Sequence, residues 1–222
     1  MKKTLWVLCV WMALGTTVCV AEEKTSGAWS VGIHGGVALP TVREAVDGFS
    51  ETGWSSSSMV GASAMYRWSN GFAVEIGAQR YTFELEEGAS KFGTLELTPI
   101  VLLVKYQGLP QGDRGFAGHF DLGGGVALGK FSKGGFVTDL ERATGAAFAI
   151  TTKPSFVFQV GGGVDYFLTK WLSLNVDGRW LFTKMGTDWS AQGPGGAAAL
   201  TEIDSFHVSN FQFIGGARLW LR

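Results

Sequence analysis

The sequence predicts an all-β protein, an eight-stranded antiparallel transmembrane β-barrel with short periplasmic turns and long extracellular loops. The first observation is Phe156–Phe182, where apolar residues alternate with small or polar ones, so that two consecutive segments each have one apolar and one polar face. The second is that 46% of the chain is hydrophobic, yet after residue 21 no run approaches the about 18 apolar residues of a membrane helix. A closed barrel is the other structure that satisfies every backbone group in a bilayer.

The first 21 residues have the features of a cleaved secretory signal, which leaves residues 22–222 as the barrel. Lys2 and Lys3 supply the positive start, Leu5–Leu14 the apolar centre and residues 19–21 the small residues before the cleavage site. Both cysteines lie in this signal, so the mature chain can form no disulfide. Export of an apolar barrel predicts that the protein lies in the cell outer membrane.

Charge and motif spacing argue against several classes of function. Loss of Lys2 and Lys3 leaves 16 Lys and Arg against 19 Asp and Glu, a net charge of −3 without a basic stripe, so we expect no nucleic-acid partner. The three histidines show no metal-ligand spacing, so we expect no metal and no cofactor. Gly124–Lys130 matches the spacing of a phosphate-binding loop, but Phe131 stands where Ser or Thr is required.

Eight segments alternate over about ten to fifteen residues, the length that a tilted strand needs to cross a bilayer. They are Trp29–Leu39, Ser58–Trp68, Phe72–Glu84, Thr94–Tyr106, Phe116–Phe131, Ser155–Phe167, Trp171–Thr183 and Phe206–Leu221. The connections between them alternate between short and long, and in such barrels the short turns face the periplasm.

Facing residues of paired strands share a face, which predicts the register at two short turns. Trp68 should oppose Phe72 across residues 69–71, with Gly71 free to adopt a left-handed conformation. By the same argument Tyr166 should oppose Leu172 across residues 168–170.

Aromatic residues collect at the strand ends, where amphipathic rings would form girdles at the two membrane interfaces. The periplasmic girdle should contain Trp29, Tyr66, Trp68, Phe72, Tyr106, Phe116, Tyr166 and Trp220. The outer girdle should contain Phe83, Phe131, Phe156, Trp180 and Phe182.

Charged residues on the polar faces predict an ionic network in the lumen. They are Arg67, Lys105, Arg179 and Arg218 against Glu75, Asp121, Asp165 and Asp177. Buried charges are costly unless paired, and eight strands leave a lumen just wide enough for side chains. We therefore predict a plug in the periplasmic half, with an ion or solute path as the alternative. The glycine triplets at 123–125 and 161–163 would make room for bulky neighbours or kink the strands.

Pro99 falls within the fourth predicted strand, Thr94–Tyr106. Because proline has no N–H to donate, it would leave a gap in the barrel wall towards a neighbouring strand. Two interpretations follow, a lateral opening with a function or a local bulge without one.

His207 and Ser209 stand two residues apart on one predicted strand face and could form a base and a nucleophile. The run His207–Asn210 resembles the HxSN signature of the outer-membrane lipid A deacylases. Those enzymes carry an orienting Glu further along, whereas Ile214–Arg222 contains no acid. We therefore expect no enzyme activity, with the deacylase as a minor alternative.

Several runs, in their order along the chain, resemble the outer membrane protein W family. They are Met59–Phe83, Leu97-Thr98-Pro99, Leu122–Ala127, Gly161–Leu174 and Asn175–Trp180. The resemblance implies an eight-stranded barrel whose lumen is apolar in its outer half and passes small hydrophobic molecules sideways into the bilayer near a strand proline such as Pro99. The implied partners are outer-membrane lipids, small apolar solutes and the barrel assembly machinery, and we expect a monomer. The chain ends in Leu221-Arg222 instead of the aromatic residue usual in the family.

A second functional hypothesis is a surface-exposed ligand-binding or adhesin-type barrel. It rests on two long predicted loops, Ser132–Pro154 and Lys184–Ser205, which are rich in Gly, Ala and Thr.

Overall fold

The computed structural model describes residues 27–42, 52–87, 90–108, 114–193, 198–200 and 205–221. The predicted signal peptide, residues 1–21, lies outside this set. Within the described ranges no helix is long and apolar enough to cross a membrane.

The described chain forms twelve strands and one helix. In chain order they are β1 (Ala28–Pro40), β2 (Thr52–Trp54), β3 (Ser57–Arg67), β4 (Phe72–Glu87), β5 (Ser90–Gln107), β6 (Gly115–Lys133), α1 (Gly135–Thr144), β7 (Ala147–Thr152), β8 (Ser155–Thr169), β9 (Leu172–Gln192), β10 (Ala198–Leu200), β11 (Ser205–His207) and β12 (Asn210–Leu221).

Eight long strands close into an antiparallel barrel in the order β1, β3, β4, β5, β6, β8, β9 and β12. The closing pair runs from Trp29 opposite Leu221 to Pro40 opposite Asn210. The predicted fold class is therefore confirmed. The eight predicted segments overlap these strands with two corrections. The strand predicted to end at Thr183 runs on as β9 to Gln192, into the predicted loop Lys184–Ser205, and the last segment is broken, because β11 ends at His207 and β12 begins at Asn210.

Side chains alternate between a lipid-facing exterior and the lumen along each barrel strand. On β4, for example, Glu75 is 1% exposed and Ile76 is 53% exposed. This alternation corrects the predicted girdles, because Trp220, Phe83 and Phe131 have lumen parity and pack inside. The remaining predicted rings lie outside, as in the tilted pair of Trp29 and Tyr66, whose centroids are 5.0 Å apart.

The first predicted turn register is confirmed. The Trp68 N–H donates to the Phe72 carbonyl at 2.8 Å, and Gly71 is left-handed with φ of +87°. Asn70 stabilises the turn, because its side-chain oxygen accepts the Phe72 N–H at 3.2 Å.

The second predicted turn register is wrong. Tyr166 opposes Leu174, not Leu172, because a β-bulge between Phe167 and Thr169 takes up an extra residue. The Thr169 hydroxyl accepts the N–H of Leu172 at 3.1 Å and so stabilises the tighter turn. Paired residues still point to the same side of the barrel. The predicted partner of Tyr166 was therefore wrong, but its assignment to the lipid-facing side was right.

The predicted loop Ser132–Pro154 contains α1 and β7, and β7 pairs with the extracellular end of β9. Lys133 donates to the Glu141 carboxylate at 2.7 Å, and the Phe148 N–H donates to the same oxygen at 2.7 Å. The pKa of Glu141 lies below its usual value, mainly because Lys133 donates a hydrogen bond to its carboxylate and secondly because the Phe148 N–H does. These contacts tie the helix to the strand that follows it.

Candidate functional site

The candidate site is the lumen, and its periplasmic half holds all eight charged residues predicted from the sequence. Each is at most 6% exposed. Glu75 lies at the centre, with its carboxylate 2.7 Å from Arg218, 3.1 Å from Lys105 and 3.6 Å from Arg179. Four strands therefore contribute to one ionic cluster.

Two carboxylates complete this cluster around Arg179. Its guanidinium lies 3.1 Å from Asp177 and 3.6 Å from Asp121. Lys105 lies 3.7 Å from Asp121 as well. Because each of these charges faces several opposite charges, moving any one of them would leave others buried and uncompensated.

His119 is a member of the network that sequence reasoning missed. Its Nδ1 lies 2.9 Å from Asp165 and its Nε2 lies 2.9 Å from Asp177. The Nδ1 contact with Asp165 is a hydrogen bond, and Nε2 faces the Asp177 carboxylate across the lumen. Strand parity could have found it, since His119 stands two positions before Asp121 on the same face of β6.

Arg67 closes the periplasmic end of the lumen in a different way. Its guanidinium lies 4.4 Å from the ring centroid of Trp220 and 5.8 Å from that of Phe167. It also donates to the Gln107 side chain at 3.1 Å, and Gln107 in turn donates to Asp165 at 2.7 Å. This end of the barrel is thus sealed by stacked rings and hydrogen bonds.

The second glycine triplet provides space for the network. A Cβ at Gly161 would lie 2.5 Å from Arg179 Cγ, and one at Gly163 would meet the Asp177 carboxylate. The absence of side chains at these two lumen positions of β8 therefore leaves room for Arg179 and Asp177 of β9.

The outer half of the lumen is apolar. Its walls carry Leu95, Leu97, Val157 and Leu181, each 0% exposed. Towards the extracellular end these residues merge with an aromatic cluster. Ring centroids in that cluster are 5.5 Å apart for Trp54 and Phe206 and 5.3 Å apart for Phe131 and Phe206.

Pro99 lies on the lumen face of β5, between Leu97 and Val101, and the register places it opposite Gln79 of β4. The β4–β5 ladder lacks the pairs at Gln79–Pro99 and Arg80–Thr98, although Ala78 opposes Ile100 and Tyr81 opposes Leu97 on either side. Both missing pairs require an N–H on residue 99. The register is unchanged across the gap, so the interpretation as a bulge is wrong, and pairing with β6 continues through Ala127.

The gap in the β4–β5 ladder at Pro99 is called the seam below. An ion pair spans it on the outer face of the barrel. Arg80 of β4 lies 2.8 Å from Glu96 of β5, with side chains 63% and 40% exposed. An exposed pair of this kind contributes only about 0–1 kcal/mol. The contact between β4 and β5 is therefore weaker at this seam than where their ladder is complete.

The predicted pair of His207 and Ser209 does not share a strand face, because the chain leaves the sheet between β11 and β12. The Ser209 hydroxyl accepts the Thr183 N–H at 3.3 Å, and the His207 carbonyl accepts the Trp54 indole N–H at 2.8 Å. The strand-face argument for a nucleophile and base is therefore wrong, and these residues join the outer strands together.

A closed barrel with an apolar exterior, interfacial aromatic rings and a polar network inside defines an outer-membrane β-barrel protein, and the outer membrane is its location. The sequence matches no protein-family model and no curated protein. Among solved structures, the chain is similar to the outer membrane protein OprG from Pseudomonas aeruginosa, with a TM-score of 0.67 and 17% identity over 90% of this chain and 100% of that one.

Two further solved structures have the same fold. The E. coli outer membrane protein W has a TM-score of 0.52 and 17% identity, over 90% of this chain and 100% of that one. A major outer membrane protein from Thermus thermophilus has a TM-score of 0.57 and 13% identity, over 89% of this chain and 100% of that one. The fold is thus that of outer membrane protein W and OprG, as the resemblance implied.

Proposed function

We propose that the protein admits small hydrophobic molecules passively from the cell exterior and releases them sideways into the bilayer near Pro99. The observation that carries this proposal is the division of the lumen into an apolar outer half and an ion-paired inner half. An apolar molecule that enters from outside would meet the apolar walls around Leu97 and Leu181 before it reaches the charges around Glu75, and Pro99 is the next lumen residue of β5 beyond Leu97.

Straight passage to the periplasm is unfavourable for such a molecule. It would have to separate Glu75 from three cations within 3.6 Å and displace the rings that stack on Arg67. Leaving buried charges without partners costs several kcal/mol. A lateral exit near Pro99 would meet a wall that already lacks one ladder hydrogen bond, worth about 1 kcal/mol.

Pro99→Ala should restore that hydrogen bond and slow the lateral route several-fold. The measurement is uptake of the apolar dye N-phenyl-1-naphthylamine by cells of a Gram-negative host that carry the protein in the outer membrane. Pro154→Ala is the matched control, because Pro154 lies between β7 and β8, outside the barrel strands. Heat-modifiable gel migration checks that each variant folds. Equal dye uptake with and without the protein would contradict the function, and unchanged uptake by Pro99→Ala would contradict the lateral route.

A second candidate is a barrel that binds a surface ligand through its extracellular part. The observation that favours it is an apolar pair on α1, where Phe136 is 42% and Leu140 is 39% exposed although the helix lies outside the membrane wall. Residues four apart share a helix face, so they form one patch.

The double variant Phe136→Ser with Leu140→Ser should abolish ligand binding and leave the barrel folded. Intact cells that display either form would be screened against immobilised surface proteins and glycans. Thr138→Ala with Arg142→Ala, on the same helix, controls for helix damage. If the screen yields no ligand for the unchanged protein, this candidate is wrong.

A further inference from the structure

Three buried glutamines stand at the boundary between the two halves of the lumen. Gln79 on β4, Gln159 on β8 and Gln212 on β12 are 3%, 0% and 0% exposed. Gln212 lies opposite Arg179, and Gln159 lies opposite Leu181, the next lumen residue of β9 beyond Arg179. Gln79 lies opposite Pro99, at the seam. The lumen residues that follow them towards the exterior are Tyr81, Val157 and Asn210.

These amides have unused hydrogen-bonding capacity. Among the described residues, Gln159 has no protein partner for either Nε2 or Oε1, and neither Gln79 Oε1 nor Gln212 Oε1 has one. Because both ends of the Gln159 amide are unpartnered, exchanging its oxygen and nitrogen would not alter this. Gln212 is held in place by its own Nε2, which donates to Tyr81 Oη at 3.2 Å and to Asn210 Oδ1 at 3.1 Å.

An unpaired amide in the lumen is costly, whereas an apolar residue of similar shape is tolerated there. The neighbours of Gln159 on β8 and β9, Val157 and Leu181, show that the wall accepts apolar residues at this level. We propose that the three glutamines form a collar that recognises a molecule with an apolar body and one neutral hydrogen-bonding group, such as a hydroxyl or an amide. The inference rests on the proposed function and names the class of solute.

The collar selects a neutral group for two reasons. The amide offers both a donor and an acceptor but no charge, so it pairs best with a group that also donates and accepts. The cations beneath it, Arg179 and Lys105, already face Asp121 at 3.6 and 3.7 Å. The apolar body of the molecule would meanwhile contact Leu97 and Val157 in the outer half of the lumen, and the position of Gln79 opposite Pro99 places the polar group next to the seam.

The test compares 1-naphthol with naphthalene, which share a ring system and differ by one hydroxyl. Binding to the full-length mature barrel in phospholipid nanodiscs is followed through the side-chain amide signals of ¹⁵N-labelled glutamine and through the dissociation constant. We expect 1-naphthol to bind about three- to tenfold more tightly, as one hydrogen bond allows, and to shift the Gln159 amide signal. Gln159→Leu should abolish this preference and leave naphthalene binding unchanged.

Gln192→Leu is the matched control, because Gln192 is exposed at the extracellular end of β9 and should keep the preference. Equal binding of the two probes, or an unchanged preference in Gln159→Leu, would contradict recognition by the glutamine collar. Neither result would contradict the proposed passage of apolar molecules. If neither probe binds above empty nanodiscs, the proposed function fails as well. If Gln159→Leu does not fold, the preference for 1-naphthol is measured in Gln79→Leu instead. The shift of the Gln159 amide signal in the unchanged protein then tests the role of Gln159.

Discussion

Glu75→Ala is expected to lower the free energy of unfolding by about 3–5 kcal/mol, the cost of removing one partner from a buried ionic cluster. Glu75 is 1% exposed and faces Arg218, Lys105 and Arg179 within 3.6 Å. Its loss removes the carboxylate that these three buried cations share, so both their mutual repulsion and the cost of burying them act against the folded barrel.

The measurement is urea unfolding of the barrel in phospholipid vesicles, followed by tryptophan fluorescence and by gel mobility with and without heating. Glu96→Ala is the matched control, because its ion pair with Arg80 is exposed and contributes at most about 1 kcal/mol. A Glu75→Ala barrel as stable as the Glu96→Ala barrel would show that the cluster does not hold the lumen closed.

The alternation of side chains along the strands gave the predictions that the structure confirms best. A period of two along β4 or β9 is a direct consequence of backbone geometry, so the lumen positions of Glu75 and Arg179 follow from the sequence. The network around them was also foreseeable, because charges on inward positions of a narrow barrel have only one another as partners.

The wrong predictions concern residues near strand ends, where alternation assigns a different side of the barrel, and places where the backbone departs from regular pairing. Trp220 was assigned to a girdle from its position near a strand end, yet its parity matches Arg218 and its indole N–H donates to Ser173 at 2.9 Å inside the lumen. The bulge at Leu168 changed a register in a way that residue types alone do not encode. His119 shows no metal-ligand spacing in the sequence, and its contact with Asp165 could have been inferred only from its inward position on β6.

Function was less predictable than fold because it depends on contacts across the lumen. The sequence shows Pro99 and three glutamines on inward positions, but their relation emerges only from the registers that place Gln79 opposite Pro99 and Gln212 opposite Arg179. Pairs on neighbouring strands can be inferred from parity, whereas contacts between distant strands depend on the stagger of the whole barrel.

Gly161→Ala should have the second large effect, a loss of about 1–3 kcal/mol from overpacking. A Cβ there would lie 2.5 Å from Arg179 Cγ, 2.7 Å from the Gly178 carbonyl oxygen and 2.9 Å from Arg179 Cα. The side chain could move, but the two backbone atoms belong to the paired strand β9 and cannot. Gly118→Ala is the control, since a Cβ at that lipid-facing glycine has nothing within 4 Å and should change stability little.

The same substitution also tests whether the network acts as a unit. Gly161→Ala displaces Arg179, which is one of the three cations that face Glu75. If Arg179 is already displaced, removing Glu75 should cost less than it does in the unchanged barrel, so the two effects should not add. The double variant, unfolded under the same conditions, should therefore be more stable than the sum of the single changes predicts. Strict additivity would mean that Arg179 keeps its contacts in Gly161→Ala, and that Gly161 serves only the packing of β8 against β9.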